Sequence, residues 1–230
     1  MVKYSSYKYT NKHELYPVEV HDIWKVGNHY FLCSDAEDTA TNNQLLKELL
    51  KEQPPTLMYA DPPWGESNAA TFRTKAGVDR GIKNYDLLIE SFLTPAIENN
   101  LLCYMENGRK WEQRAVNIVD KVGGQVTGSW EITYYRNKPC VLIAADFRET
   151  PESDHPEFSG LDDEDTPTLA LQSRPVGTVY DPCSGRGSTA RSAEKQGWHS
   201  INRELSVWRM AEAMHSVSQL NGLKPERISP

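Results

Sequence analysis

Two hydrogen-bond acceptors, a stiffened backbone and a flat aromatic face occur together in four consecutive residues, Asp61-Pro62-Pro63-Trp64. The exocyclic amine of a base such as adenine is a poor nucleophile, because its lone pair is delocalised into the ring. To attack an electrophilic methyl it must be held pyramidal and aimed. The carboxylate of Asp61 and the carbonyl of Pro62 can each take one amino hydrogen and stabilise the positive charge that develops on the nitrogen. Pro62 and Pro63 fix the backbone so that those acceptors are pre-positioned. Trp64 offers a face for an extruded base, a stacking contact of about 1–3 kcal/mol. Taken alone, the segment also reads as a Pro-Pro strand terminator followed by a packed tryptophan.

A second segment, Val179 to Thr189, has the form of a strand, a glycine turn and a helix start. Asp181 and Pro182 end the strand, Cys183 follows, and Gly185 and Gly187 let backbone approach a ligand while the next helix terminus receives a carboxylate. A glycine turn by itself is equally well only a turn. Glu204 strengthens it, because it lies about twenty residues later at a strand end, where an acid binds ribose hydroxyls in dinucleotide folds.

The elements that position these groups are legible in the hydrophobic pattern. Short strands over Val18 to Trp24 and Asn28 to Cys33 flank a Gly27-Asn28 turn, and the first fifteen residues read as an arm. Leucines 45, 46, 49 and 50 have helical spacing, Pro54-Pro55 stops that helix, and Thr56 to Ala60 delivers Asp61. A polar loop to Asn84, a helix from Tyr85 to Ile97 and a strand from Leu101 to Met105 follow. A helix from Trp111 to Lys121 then precedes an antiparallel pair, Gln125 to Tyr135 with Cys140 to Ala145. The stretch from Arg148 to Asp165 reads as a flexible surface loop. Strand, turn, helix, strand (Trp198 to Asn202) and a last helix from Ser206 to Leu220 complete the chain. Alternation of this kind implies a mostly parallel sheet with helices on both faces, its ligands at the carboxyl ends of the strands, where Asp35, Asp61, Asp181 and Glu204 fall.

Composition narrows the classes. The 230 residues fit one domain. No apolar run approaches the roughly 20 residues that span a bilayer, and no secretory signal opens the chain. The dispersed cysteines, Cys33, Cys103, Cys140 and Cys183, read as reduced core thiols, with no metal-ligand spacing, which implies a cytoplasmic protein. A net charge of -7 argues against holding nucleic acid by bulk charge. Locally, Arg73, Lys75, Arg80 and Lys83 follow the tetrapeptide and form a candidate nucleic-acid contact. Nine acids crowd the segment from Asp146 to Asp165, which reads as largely segregated from the motif. His155 within it reads as a surface residue. Arg109, Lys110 and Arg114 read as a solvated helix face, and Tyr134, Tyr135 and Arg136 as weaker candidates for lining the base pocket.

Both motif segments resemble those of DNA amino-methyltransferases, in which Asp-Pro-Pro-aromatic is catalytic and an Asp-Pro-Phe-x-Gly-x-Gly-like motif binds S-adenosyl-L-methionine. The order here, catalytic motif first, is similar to the permuted beta group of that family, over roughly Val26 to Leu220. The resemblance implies a circularly permuted, Rossmann-like class I methyltransferase domain over 1–230, with a mostly parallel seven-stranded sheet. It divides into an arm (1–15), a catalytic part (26–145), an acidic loop in the target-recognition slot (146–168) and a cofactor part (169–222). It implies methyl transfer to adenine N6 in DNA by Asp61, Pro62, Pro63 and Trp64, with S-adenosyl-L-methionine held by Asp35, Asp181, Pro182, Cys183, Gly185, Gly187, Asn202 and Glu204. For Asp35, a helix N-cap is the alternative.

Three departures stand out: Cys183 replaces the usual Phe, Asn202 a usual Gly, and the acidic stretch a longer recognition insert. Recognition then rests on the loop from Gly65 to Asn84 and the arm, or is lent by another subunit or a second copy. RNA adenine N6, cytosine N4 in DNA, and a silent methyltransferase-like binding subunit are the alternatives. The leading Asp favours adenine over cytosine.

Overall fold

The computed structural model describes residues 12–36, 41–78, 84–134 and 138–228. Its centre is β3 (Leu57–Ala60), which is buried along its whole length. Met58 and Ala60 enter one core cluster and Leu57 and Tyr59 another, so this strand is covered on both faces. Around it stand β1 (Ile23–Val26), β2 (His29–Cys33), β4 (Leu102–Gly108), β5 (Gln125–Tyr134), β6 (Lys138–Asp146), β7 (Thr178–Asp181), β8 (His199–Glu204) and β9 (Glu226–Arg227). The sheet order is β5-β6-β4-β3-β7-β8-β2-β1-β9.

The expected seven-stranded, mostly parallel sheet is thus a nine-stranded mixed one. β4, β3, β7, β8 and β2 run parallel, while β6 and β5 at one side and β1 and β9 at the other pair antiparallel. Two extra strands arise because the turn at Gly27, with φ 58°, folds β1 back on β2, and residues 226–227 then pair with β1.

One face carries α2 (Thr41–Glu52), α4 (Tyr85–Glu98) and α5 (Glu112–Lys121), with Leu46, Leu49, Leu93 and Val119 in the core beneath. The other carries α6 (Asp165–Gln172), α7 (Ser188–Gln196) and α8 (Val207–Asn221), the last two packed around Ala190, Ala213 and Val217. Gly187 begins α7 at φ 80°, and a Cβ there would lie 2.8 Å from that of Ala213, so this glycine lets two helices touch. Helix α4 starts at Asn84, whose side chain accepts from the N–H groups of Asp86 and Leu87.

Two segments depart from the reading as loops. Part of the stretch between Gly65 and Asn84 is a helix, α3 (Glu66–Lys75), which buries only Ala69 and Arg73 and so has no apolar stripe to reveal it. The acidic stretch is a built cover. Phe158 is fully buried, and Thr133 and Gly160 donate backbone hydrogen bonds to Leu161 and Glu131. The carboxylate of buried Asp146 accepts from the backbone and side chain of Arg148 and from the N–H of Glu152. Burial opposes ionisation of Asp146, but those hydrogen bonds win and hold its carboxyl below the usual range. His155 is half-buried and engaged: its ring lies between the Tyr104 hydroxyl at 3.1 Å and Thr127 Oγ1 at 2.8 Å.

Candidate active site

The parallel strands end on one edge, and their last residues bring the two motifs together. Asp61 follows β3, Asp181 closes β7 and Glu204 closes β8. The half-buried thiol of Cys183 sits among Asp181, Asp61 and Glu204, whose charges add to burial in pushing it up. Burial, then the charges of Asp181 and Asp163, push the Asp61 carboxyl up to about 7. The indole N–H of Trp64 and the Arg209 guanidinium oppose that rise, although the indole nitrogen itself is buried without a hydrogen-bond partner. Asp181 is pushed up to about 7 by burial, against donors on Thr189 and the N–H of Cys183. The acidity is therefore not segregated from the motif, since Asp163 of the cover acts on Asp61.

The tetrapeptide is held from behind. Tyr85 donates to the Pro63 carbonyl at 2.7 Å, and the Tyr85 ring lies 5.9 Å from that of Trp111. Gly65 has φ 92°, and a Cβ there would lie 2.2 Å from the Trp111 ring, so no other residue lets the chain turn this closely. Arg114 stacks over Tyr85 and Trp111 and pairs with Glu66 and Asp86. Trp64 leans over Gly108, where a Cβ would meet it at 3.0 Å, and its ring meets Tyr134 edge-on at 4.9 Å.

Beside the glycine turn, Glu204 takes 2.8 Å hydrogen bonds from the N–H groups of Gly185 and Ser206. Burial raises its carboxyl against Arg209 and those donors. At Gly185, with φ 55°, a Cβ would meet only the Cys183 carbonyl oxygen, at 3.9 Å. A cavity of about 100 Å³ opens beside Glu204, between Phe72 and Lys75 of α3 and Arg209 of α8. The Arg209 guanidinium lies 4.3 Å over the Phe72 ring.

Other expected site residues are placed differently. Asp35 follows β2 and forms a bidentate pair with Arg73 at 3.0 and 2.8 Å, and Arg73 is buried. That pair ties the β2 end to α3, so Arg73 belongs to the scaffold and not to a phosphate contact. Asn202 is buried, and its amide donates to the Tyr30 carbonyl and Ser200 Oγ, within the sheet. The same polar seam holds His29 between Ser200 Oγ at 2.8 Å and Glu194 at 2.7 Å, sealed from solvent. Lys75 is exposed at the cavity rim. Arg80, Lys83, Tyr135, Arg136 and the first eleven residues of the arm lie outside the described residues.

Sequence reasoning missed Glu106, Asp163, Phe72 and Arg209. Glu106 directly follows the apolar run Leu101 to Met105, as Asp61 follows Thr56 to Ala60, so the signal was present; no proline or glycine motif accompanies it, and the strand continues past it to Gly108. Among the described residues no group of His, Cys, Asp and Glu is arranged to hold a metal, and no helix is long and apolar enough to cross a membrane.

No protein-family model matches the chain, and no curated protein matches it by sequence. Solved structures do match. M1.HpyAVI superposes with TM-score 0.56 at 12% identity, over 82% of this chain and 98% of that one, and its complex with SAM also matches. TTHA0409 from Thermus thermophilus, a candidate DNA modification methylase complexed with S-adenosyl-L-methionine, gives 0.57 at 11% identity, over 82% and 93%. PvuII DNA methyltransferase (cytosine-N4-specific) gives 0.54 at 13% identity, over 87% and 95%. The mixed α/β fold of this chain is the one these methyltransferase structures share.

Proposed function

We propose that this chain transfers a methyl group from S-adenosyl-L-methionine to the exocyclic N6 of adenine in DNA, as a single permuted methyltransferase domain. The observation that carries the reading is the meeting of Asp61 with the Asp181 glycine turn across Cys183, at the carboxyl ends of the parallel strands of the sheet. The residues fit the cofactor. Gly185 leaves room for close approach, the Glu204 carboxylate borders the cavity, Phe72 offers an aromatic wall, and buried Asp181 suits a cation. When bound, S-adenosyl-L-methionine supplies an electrophilic methyl. Asp61 and the Pro62 carbonyl hold the amine and take up its positive charge, Trp64 with Tyr134 forms the base platform, and the cover keeps water out. The neighbours solved with the cofactor support this reading, and the leading Asp of the tetrapeptide supports adenine. The cytosine-N4-specific neighbour keeps cytosine as the second reading.

Incubation with labelled S-adenosyl-L-methionine and either DNA or RNA, followed by nucleoside analysis, is expected to yield N6-methyladenine from DNA. Label only in cytosine or only in RNA would replace the adenine or the DNA part. Cofactor binding without transfer to any nucleic acid would leave a silent subunit. Because only ionised Asp61 carries the negative charge that offsets the charge developing on the amine, single-turnover rate is expected to rise with pH through about 7 and then level. A rate independent of pH from about 6 to about 9 would remove Asp61 from that role.

A further inference from the structure

Glu106 ends no motif, yet it stands beside Asp61. Ala60 pairs with Met105 in the parallel ladder, so the residues that follow, Asp61 and Glu106, lie side by side on neighbouring strands. Alternation fixes the face. Glu106 is opposite Leu142 and Gly108 opposite Cys140, both of the cluster that also holds Tyr59 and borders Trp64 and Tyr134. Asn107, one residue on, points to the other face with Val141. Glu106 is therefore directed under the Trp64 platform, and it is only 2% exposed.

Its two oxygens differ. The Tyr59 hydroxyl donates to Oε1, while Oε2 is buried with no hydrogen-bond partner. A buried polar atom left unmatched is costly, and beside a candidate active site it marks a place where a ligand supplies the partner.

We propose that Glu106 is a base-contacting residue, whose Oε2 hydroxyl donates a hydrogen bond to the ring nitrogen adjacent to the amine that Asp61 holds. Burial first, then the charge of Asp61, with Asp163 and Asp181 beyond it, raises the Glu106 carboxyl well above the ordinary range and keeps it neutral. With Oε1 accepting from Tyr59, the proton falls on Oε2, as a donor. Donor at Glu106 and acceptor at Asp61 together match an amine beside an unprotonated ring nitrogen, the edge that adenine (N6, N1) and cytosine (N4, N3) share. The edge on which guanine presents its O6 carbonyl beside the N1–H does not match. The contact orients the base and selects its edge, while Asp61 accepts the amine hydrogens.

The inference rests on the methyl-transfer reading above, and one experiment separates the two. Oligonucleotides carrying the methylated site are compared with versions in which the target adenine is 1-deazaadenine (3-deazacytosine if cytosine is the base methylated). In the wild type, loss of the ring nitrogen is expected to lower kcat/KM about tenfold, the effect of one buried hydrogen bond. In Glu106→Ala the same replacement is expected to change it by less than about twofold, the contact being gone already. Glu106→Gln, which keeps a neutral donor, is expected to retain the sensitivity. Binding of the same oligonucleotides with S-adenosylhomocysteine present should show the same pattern, and unchanged affinity for S-adenosyl-L-methionine certifies the fold of each variant. Equal deaza penalties in the wild type and Glu106→Ala would overturn the Glu106 assignment while leaving methyl transfer in place. A wild type that methylates no base would remove both.

Discussion

Asp61→Ala is expected to stop methyl transfer while S-adenosyl-L-methionine binds about as tightly as before. Asp61 lies at the end of β3, whereas the groups around the cavity belong to β8, α3 and α8. Removing one pre-positioned electrostatic partner of the reacting atoms lowers kcat by about 100- to 1,000-fold, and the loss falls on kcat because the contact strengthens as charge develops. Asp61→Asn keeps one acceptor oxygen and should fall between. The same substitution relieves like-charge crowding, since burial and the neighbouring acids make ionised Asp61 unfavourable in the folded chain. The carboxyl is raised on folding, so stability is highest below its unfolded value near 4 and declines as pH climbs towards 7. At neutral pH the alanine variant should therefore melt above the wild type. Loss of cofactor affinity in step with activity would show that Asp61 holds the cofactor instead.

Glu204→Ala is expected to do the reverse, removing cofactor binding first. The Glu204 carboxylate holds the N–H of Gly185 in the turn and the N–H of Ser206 at the start of α8. Without it two donors lose their acceptor, each costing about 1–3 kcal/mol where water cannot reach. The turn then loses its fixed shape as well as the acceptor proposed for the cofactor ribose. Calorimetric titration should show affinity for S-adenosyl-L-methionine falling by about 100-fold or more. Glu204→Gln does not rescue it, because one end of the amide sets N–H against N–H. Unchanged affinity would move the cofactor away from the β8 edge.

Both motif segments and their places at strand ends were legible because each rests on a local pattern: an acid where an apolar run stops, followed by prolines or glycines. The strands through Leu57, Val179 and Ile201 and the hairpin around residues 125–146 were equally legible, since their periodicity survives burial. Helix α3 was not, having a buried arginine in place of an apolar stripe. The cover was not, because its acids are matched by Arg148 and, across the chain, by Arg174, which pairs with Glu152 at 2.6 Å. Composition marked that stretch as unable to fold, yet one buried Phe158 and a few long-range hydrogen bonds anchor it. Asp35, Arg73 and Asn202 have residue types that suit ligand binding, but their partners are one another's strands and helices. Such pairings depend on which elements become neighbours, and no local spacing encodes that.

The pairing of β2 with β8 joins residues near 30 to residues near 200. Closing so long a loop is entropically expensive and places this chain among slow, non-local folders. During synthesis β2 has an unsatisfied edge until Glu204 has emerged, and only then do the acids at 61, 181 and 204 share a rim. Fragments ending before that residue are therefore expected to be ligand-blind as well as aggregation-prone, because the rim is assembled only when the whole sheet is.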